Sequence, residues 1–345
     1  MILITAFASL FFAQNLTEHG LYQLQAEKAV YDGRDLILTQ AVEMTHPAGR
    51  LSSTRAVVQN FKMERRAPFQ KITLNGQVCV HATTPGRDIN LFADRASGEI
   101  DAGAFFAFQS LSCLGAVEIT TSDGFTAKGG EARFTALANR GGIIELIPAP
   151  LSQYCFLTHE CDHLETRKVR LDLETKQIIC EEPRGEIESG WKKGASVAFQ
   201  AKRLIWQEDV ILEGNVSFED DRVHLEANLG RLTYRKEKGR LQPNAFYCDG
   251  SVRLISSIIQ DQESFALADQ LLYLPETRTM ILTSIAPNRV LFWQSSGDVT
   301  LSAQEVRVQI DQETQRETVQ GIGDVHFHFT LQEEDTIETL FSKYL

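Results

Sequence analysis

The sequence predicts an all-β, repeat-built protein that ends in a short helix. Three observations carry this reading. Two-residue alternation of apolar and polar side chains recurs around regularly spaced glycines. Turn-forming pairs such as Asp32-Gly33 and Lys238-Gly239 punctuate the chain, where a positive φ costs glycine little. Only residues 331–345 change to a helical period, with Ile337, Leu340, Phe341 and Tyr344 on one stripe.

The clearest copy of the repeat is the run from Val210 to Phe218. Val210, Leu212, Gly214, Val216 and Phe218 share one face, and Ile211, Glu213, Asn215 and Ser217 share the other. Successive side chains of a strand point to opposite sides, so this is the pattern of a half-buried strand. The same offsets hold Ile72, Leu74, Val78 and Val80 around Gly76, and Leu111, Cys113, Val117 and Ile119 around Gly115. They hold Phe246, Cys248, Val252 and Leu254 around Gly250, and Val319, Gly321, Val325 and Phe327 around Gly323. A weaker copy at Gln40 has Leu36, Leu38, Val42 and Met44. The steps from 40 to 76 and from 214 to 250 are 36 residues each, and the step from 250 to 323 is 73, two such units with a degenerate copy between them. Self-similarity at this period signals a repeat architecture. The repeat has a second half, a strand opening on alanine, seen at Ala56, Ala93, Ala201, Ala227, Ala268 and Ala303.

Taken in order, the chain starts with an uncharged apolar run, Met1 to Ala13, too short to cross a bilayer comfortably. It has the length of a signal-peptide core without the basic leader, so residues 1–14 are expected to be an export signal or an N-terminal apolar segment. Residues 21–44 read as two strands around Asp32-Gly33, and further turns are expected at Asp123-Gly124, Gly129-Gly130 and Gly297-Asp298. From 140 to 194 the repeat fades, interrupted by Pro148, Pro150 and Pro183. One strand pair survives there, with Val169, Leu171 and Leu173 before a Thr175-Lys176 turn and residues 177–180 after it. The stretch 186–194 is the expected junction, giving one β-module over 15–187, a second over 188–330, and a helical tail over 331–345 that would cover the end of a sheet.

With 345 residues and 43% hydrophobic content, the chain can bury a large core or two. A net charge of −12 argues against nucleic acid as a partner, since phosphates need a basic face. Basic residues form only short clusters, Lys62, Arg65, Arg66 and Lys71, and Arg235, Lys236, Lys238 and Arg240, which read as solvated strand ends. There is no GxGxxG after a strand, no P-loop, no HExxH and no GxSxG, and the carboxylates Glu118, Glu213, Glu219, Asp249 and Asp324 are spread over outward positions without a compact acid–base pair. No cofactor and no enzymatic activity are expected.

Six cysteines occur, at 79, 113, 155, 161, 180 and 248. Cys113 and Cys248 fall at inward repeat positions and suit a small-hydrophobe role, whereas Cys79 is on the other face. The cluster Cys155, His159, Cys161 and His163 is dense enough to be a weak zinc candidate if strand alternation places all four on one side. A disulfide involving Cys155 or Cys161, and unpaired thiols, are the competing readings. His326 and His328 flank Phe327 and read as surface histidines.

Up to this point a closed barrel, a sandwich or jelly roll, and a solenoid are all compatible with the pattern. The two-part unit, carried by residues 201–218, by Ala268-Asp-Gln-Leu-Leu-Tyr273 and by Gly321-Ile-Gly-Asp-Val325, resembles the OstA-like repeat of the lipopolysaccharide-transport family, whose periplasmic members are LptA, LptC and the N-terminal domain of LptD. The likeness covers most of 21–137 and 195–330. It implies an elongated OstA-like β-jelly-roll, here of two modules, open along one side. It implies a periplasmic location, with association with the inner or outer membrane open. It also implies acyl chains of lipopolysaccharide or another acyl lipid held between sheets, and partners drawn from the transport proteins or a second copy through strand edges. The inward residues expected to touch lipid are Leu212, Val216, Phe218, Phe246, Val252, Leu254, Val325 and Phe327. Each fits core packing equally well, because a lipid groove and a closed core share one alternation. An exported scaffold that binds only proteins, and a β-helix enzyme acting on polysaccharide, are the alternatives.

Overall fold

A computed structural model describes residues 23–46, 49–61, 71–84, 87–100, 108–122, 124–137, 142–159, 162–172, 174–188, 196–220, 223–237, 240–259, 262–295, 299–310 and 317–341. The apolar start expected as a signal lies outside them, as do Asp123, Lys238-Gly239, Gly297-Asp298, Leu173 and Tyr344. The described residues form 25 strands and one helix, and the chain separates into two compact units, Met1–Pro183 and Arg184–Leu345.

In the first unit the strands are β1 (Gln23–Gln25), β2 (Lys28–Tyr31), β3 (Leu36–His46), β4 (Gly49–Gln59), β5 (Lys71–Thr84), β6 (Arg87–Ile100), β7 (Phe108–Thr121), β8 (Thr126–Ala136), β9 (Gly142–Ile147), β10 (Cys155–His159), β11 (Asp162–Thr166), β12 (Lys168–Asp172) and β13 (Ile178–Glu181). In the second they are β14 (Arg184–Glu188), β15 (Ser196–Gln200), β16 (Arg203–Trp206), β17 (Val210–Glu219), β18 (Val223–Glu237), β19 (Arg240–Ile259), β20 (Gln262–Leu274), β21 (Thr279–Thr283), β22 (Val290–Gln294), β23 (Thr300–Ala303), β24 (Glu305–Ile310) and β25 (Glu317–Ile322), followed by helix α1 (Leu331–Phe341). Every assigned pair within a unit is antiparallel, and the long strands pair in sequence order, β3 through β8 and β17 through β20.

The repeat glycine is where every second long strand bends. Gly76 (φ 73°), Gly115 (103°), Gly214 (74°), Gly250 (76°) and Gly323 (74°) are left-handed, and for four of them the next residue is too: Gln77, Asn215, Ser251 and Asp324. Gln40 and Ala41 take the same conformation without glycine. The ladder shifts register at these pairs, because two bulge residues oppose one on the neighbouring strand. The single opposing residue is polar in most copies. Thr54 donates its hydroxyl to the Asn75 carbonyl at 2.8 Å, and Asp94 accepts from the Ala116 N–H at 3.3 Å. A Cβ at Gly115 would lie 2.1 Å from Asp94 Oδ2, and one at Gly76 would lie 2.3 Å from Thr54 Oγ1. Glycine is therefore required twice, by backbone conformation and by the side chain seated on it. The alanine of the repeat immediately precedes this seat, as in Ala93-Asp94, Ala201-Lys202, Ala227-Asn228, Ala268-Asp269 and Ala303-Gln304. In β4 that place belongs to Ser53-Thr54, not to Ala56. Gly129-Gly130 is likewise not a turn: it sits inside β8 opposite the Gly115-Ala116 bulge, where a Cβ on Gly130 would meet the Ala149 backbone at 2.2 Å.

Beyond the bulge each strand continues in a second layer that faces the first. A Cβ at Gly230, from the layer before the bulge, would meet Val216 and Phe218 from the layer after it at 3.4 and 3.6 Å. At the ends of each meander the two layers are carried by separate short strands. β2 and β1 both pair with β3, and β9 and β10 both pair with β8. β16 and β15 both pair with β17, and β21 and β22 both pair with β20. The fold is all-β, as the repeat implied, and jelly-roll-like, as the resemblance implied. The Thr175-Lys176 turn joins β12 to β13, with Lys176 left-handed and Asp172 Oδ1 accepting from the Glu174 and Thr175 N–H groups at 3.0 and 2.9 Å.

Gly115→Ala is expected to destabilise the protein by about 2–3 kcal/mol, since it adds a Cβ to a left-handed residue under Asp94. Gln77→Gly, which relaxes the second left-handed residue and adds no atom, is expected to stay within about 1 kcal/mol of the parent. Urea midpoints measure both.

Candidate functional site

Inward side chains line up across strands in registered columns. In the second unit the column nearest the bulge runs Leu204, Leu212, Gly230, Cys248, Leu271, Leu282, Val306 and Gly321. All but Gly321 are buried. Across from it lie Val216, Leu225, Ala227, Val252, Leu254, Ala266 and Ala268, also buried. Four expected lipid contacts, Leu212, Val216, Val252 and Leu254, therefore sit in a closed core at 5%, 1%, 1% and 4% exposure.

The next column outward differs. Val210, Leu232, Phe246, Tyr273, Met280, Val308 and Val319 are registered in sequence, and all except Val308 are half-buried. Seven strands at about 4.8 Å spacing make this apolar row roughly 30 Å long. Phe218 reaches it from the opposite layer, its ring edge-on to Phe246 at 4.8 Å between centroids. Burial pushes the Tyr273 phenol up to about 12, against the pull of Arg278, so it stays neutral at physiological pH. Of the residues singled out by sequence, Phe218 and Phe246 belong to this row. Val210, Leu232, Tyr273 and Val319 fall within repeat copies but are not among the expected lipid contacts, and Met280 falls in none, because the row exists only across strands, at a depth set by how the layers close. In the first unit the equivalent column, Val58, Ile72, Gly98, Leu111, Phe134, Ile144, Leu171 and Ile178, is buried throughout. It emerges only at Leu36 and the exposed Tyr31.

Val325 and Phe327 do not continue the strand pattern. β25 ends at Ile322, Val325 packs half-buried against the core, and Phe327 is 78% exposed rather than inward. The reason is a clamp on the chain after Gly323. Arg289 donates to Asp324 Oδ2 at 2.6 Å, to Ser302 Oγ at 2.7 Å and to the Ser302 carbonyl at 2.9 Å. Ser302 and His326 exchange backbone hydrogen bonds at 2.9 and 2.8 Å. Buried Ser302 in turn donates to Glu333 Oε1 at 2.6 Å. Glu333 closes a capping box at the start of α1, accepting from the Thr330 N–H at 2.7 Å while its own N–H donates to Thr330 Oγ1 at 3.4 Å. His326 and His328 stack, with His326 Nε2 3.3 Å from Asp324. Helix α1 does not cover a sheet end. Ile337 and Phe341 pack on Phe265, Leu267, Leu291 and Trp293, which lie on the outer face of β20 and β22 and give that part of the sheet a second buried side.

The zinc candidates do not converge. In the β10–β11 hairpin Cys155 faces Thr166 and Thr158 faces His163, so odd residues of one strand share a face with even residues of the other. Cys155 is buried and His163 is exposed on the opposite side. Cys161 and the His159 side chain lie outside the described residues, among which no cluster of three metal-ligating side chains occurs. The outward carboxylates are engaged across strands: Glu118 with Lys128 at 3.2 Å, Glu213 with Arg203 at 3.4 Å, and Asp249 with Gln270 at 3.0 Å. Among the described residues no helix is long and apolar enough to cross a membrane.

No family model matches the chain, and no curated protein matches it. Among solved structures the chain is similar to LptH of Pseudomonas aeruginosa, described as the LptA-homologous periplasmic component of the conserved lipopolysaccharide transport device. Identity is 12%, over 40% of this chain and 94% of that one, with a TM-score of 0.31. The match concerns the course of the backbone, and fold alone does not fix function.

Leu254→Ala is expected to cost about 3 kcal/mol and Met280→Ala only about 1 kcal/mol, separating core from half-buried row in denaturant unfolding. A pH titration tests the clamp. Burial opposes ionisation of Glu333, but hydrogen bonds from Ser302 and Thr330 and the charge of Arg289 outweigh it and hold the carboxyl below its ordinary 4.5. Hydrogen bonding and charge from Arg289 hold Asp324 below its ordinary 3.8. Because the folded state prefers both carboxylates ionised, their contribution is intact above about pH 4.5 and is lost as pH falls through the lowered values. Trp293 fluorescence is expected to report release of α1 in that acidic window and no change between pH 5 and 8.

Proposed function

We propose that this protein is a non-enzymatic, exported acyl-lipid-binding component of lipopolysaccharide transport and outer-membrane assembly. In this reading the acyl chains lie along the half-buried row of the second unit. One observation carries the proposal: an apolar row across seven strands is left half-wet at the margin of a core that is otherwise closed. Each acyl CH₂ placed there and removed from water contributes about 0.8 kcal/mol, so chains bind without a charged headgroup site, and the net acidity of the protein is no obstacle. The Phe218–Phe246 contact joins the two layers at this margin, and its opening would admit a chain deeper between them. The resemblance of the repeat to the lipopolysaccharide-transport family supplies the lipid class and, with it, the periplasm as location and transport proteins or a second copy as partners through strand edges.

A second reading has its own support. The columns next to the bulge are filled without any ligand, which is what a protein-binding scaffold with a solid core would show. Photo-crosslinking in cells separates the two, with a photoreactive residue at Phe246 and a control at its exposed neighbour Tyr247. Lipopolysaccharide adducts at Phe246 and none at Tyr247 are the expected result. A folded, crosslink-competent protein that gives no lipid adduct at Phe246 would sink the lipid reading in favour of the scaffold.

A further inference from the structure

We infer that Cys155 and Cys180 form a disulfide that ties the two layers of the first unit together at its C-terminal end. The argument starts from topology. β10 extends the layer after the bulge, pairing with β8, while β12 and β13 extend the layer before it by way of β9. The chain passes from one layer to the other at Arg167, between β11 and β12. At that crossing the Thr166 hydroxyl donates to the Glu181 carbonyl at 2.7 Å, with the Lys168 carbonyl at 3.0 Å, and the Arg167 N–H donates to Glu181 at 2.9 Å. Cys155 faces Thr166 directly in the β10–β11 ladder. Cys180 precedes Glu181, faces Val169, and has its thiol in hydrogen-bonding reach of the same Thr166 hydroxyl. Both cysteines point inward and are buried, at 0% and 1% exposure, and Thr166, which neighbours each, is buried at 0%.

The other described cysteines do not compete. Cys113 lies in the same column as Cys180, but four strands away through Ala132, Leu146 and Val169. That is roughly 19 Å at ordinary strand spacing, beyond the reach of about 7 Å between Cα atoms that a disulfide allows. Cys79 is half-buried on the outer face of β5, and Cys248 belongs to the second unit.

The structure holds the two as free thiols. Burial pushes each up to about 12, and for Cys180 the nearby Cys155 adds to the rise. Only about one thiol in 10⁵ is then ionised at neutral pH, so the folded, reduced pair exchanges slowly. The bond therefore forms while the hairpins are still open. One thiolate attacks a small-molecule disulfide such as oxidised glutathione, releasing one glutathione thiol. The other cysteine then resolves the mixed disulfide and releases the second. Two protons and two electrons leave the cysteines and appear in the two reduced glutathiones.

The test refolds the full-length denatured, reduced chain in a mixture of oxidised and reduced glutathione, then alkylates it under denaturing conditions before and after reduction. The expected result is two of the six thiols protected, with a non-reduced digest yielding one linked peptide pair that contains Cys155 and Cys180. Reduction should lower the melting temperature by about 5–10 °C, as expected for closing a loop of this length. C155A and C180A should each abolish both the linked peptide and the melting shift. Alkylation of all six thiols, or Cys155 linked to Cys161 or any other cysteine, would overturn the inference, and this readout comes from the unaltered chain even where a variant fails to fold.

Discussion

Everything in this fold depends on a two-residue bulge that opens on a left-handed residue, in most copies a glycine followed by a second left-handed residue. A flat antiparallel strand cannot belong to two layers at once. Two consecutive residues with positive φ turn the chain sharply enough to do so, and the extra residue is absorbed as a bulge. The cost of the left-handed pair falls mainly on glycine, which bears it best, and the space above that glycine is filled by Thr54, Asp94, Asn228 or Gln304. Because the same device recurs in every second strand of the meander, the bends stack, and the apolar halves on either side of them face each other.

In the second unit the row beside the bend and the next row of the same layer differ in burial. Near it the layers converge and small residues dominate: Ala227, Ala266, Ala268 and Gly230 let opposing backbones approach until Leu212 and Val252 are dry. One row farther out in the second unit, Leu232, Phe246, Tyr273, Met280 and Val319 are partly exposed to water. An apolar group laid along that row would gain burial without first displacing a packed core. The ends of the meanders show how such a margin is managed. At one, α1 covers an outer face with Ile337 and Phe341 and is pinned by Arg289 and Glu333. At another, Cys155, Thr166 and Cys180 are all buried where the chain crosses between layers.

The sequence by itself determined the all-β class, the repeat and its glycines, the β12–β13 turn and the C-terminal helix, because each is written at fixed spacing along one strand or one helix. Period-2 alternation states which side a residue faces, and Leu212, Val216, Val252 and Leu254 do face inward. It does not state how deep that side is. Only the tertiary structure decided that these four are dry while Phe246 and Met280 are half-wet, since depth depends on the separation of two layers that the local pattern cannot encode. The same limit explains the misplaced residues. Alternation counted through the β10–β11 hairpin puts Cys155 and His163 on one side, but the register pairs odd with even residues and separates them. Alternation carried past Gly323 puts Phe327 inside, but Arg289 and Ser302, distant in sequence, hold Asp324 and His326 and leave Phe327 exposed. Local periodicity is fixed by backbone geometry, whereas register, layer spacing and capture by remote side chains are properties of the folded whole.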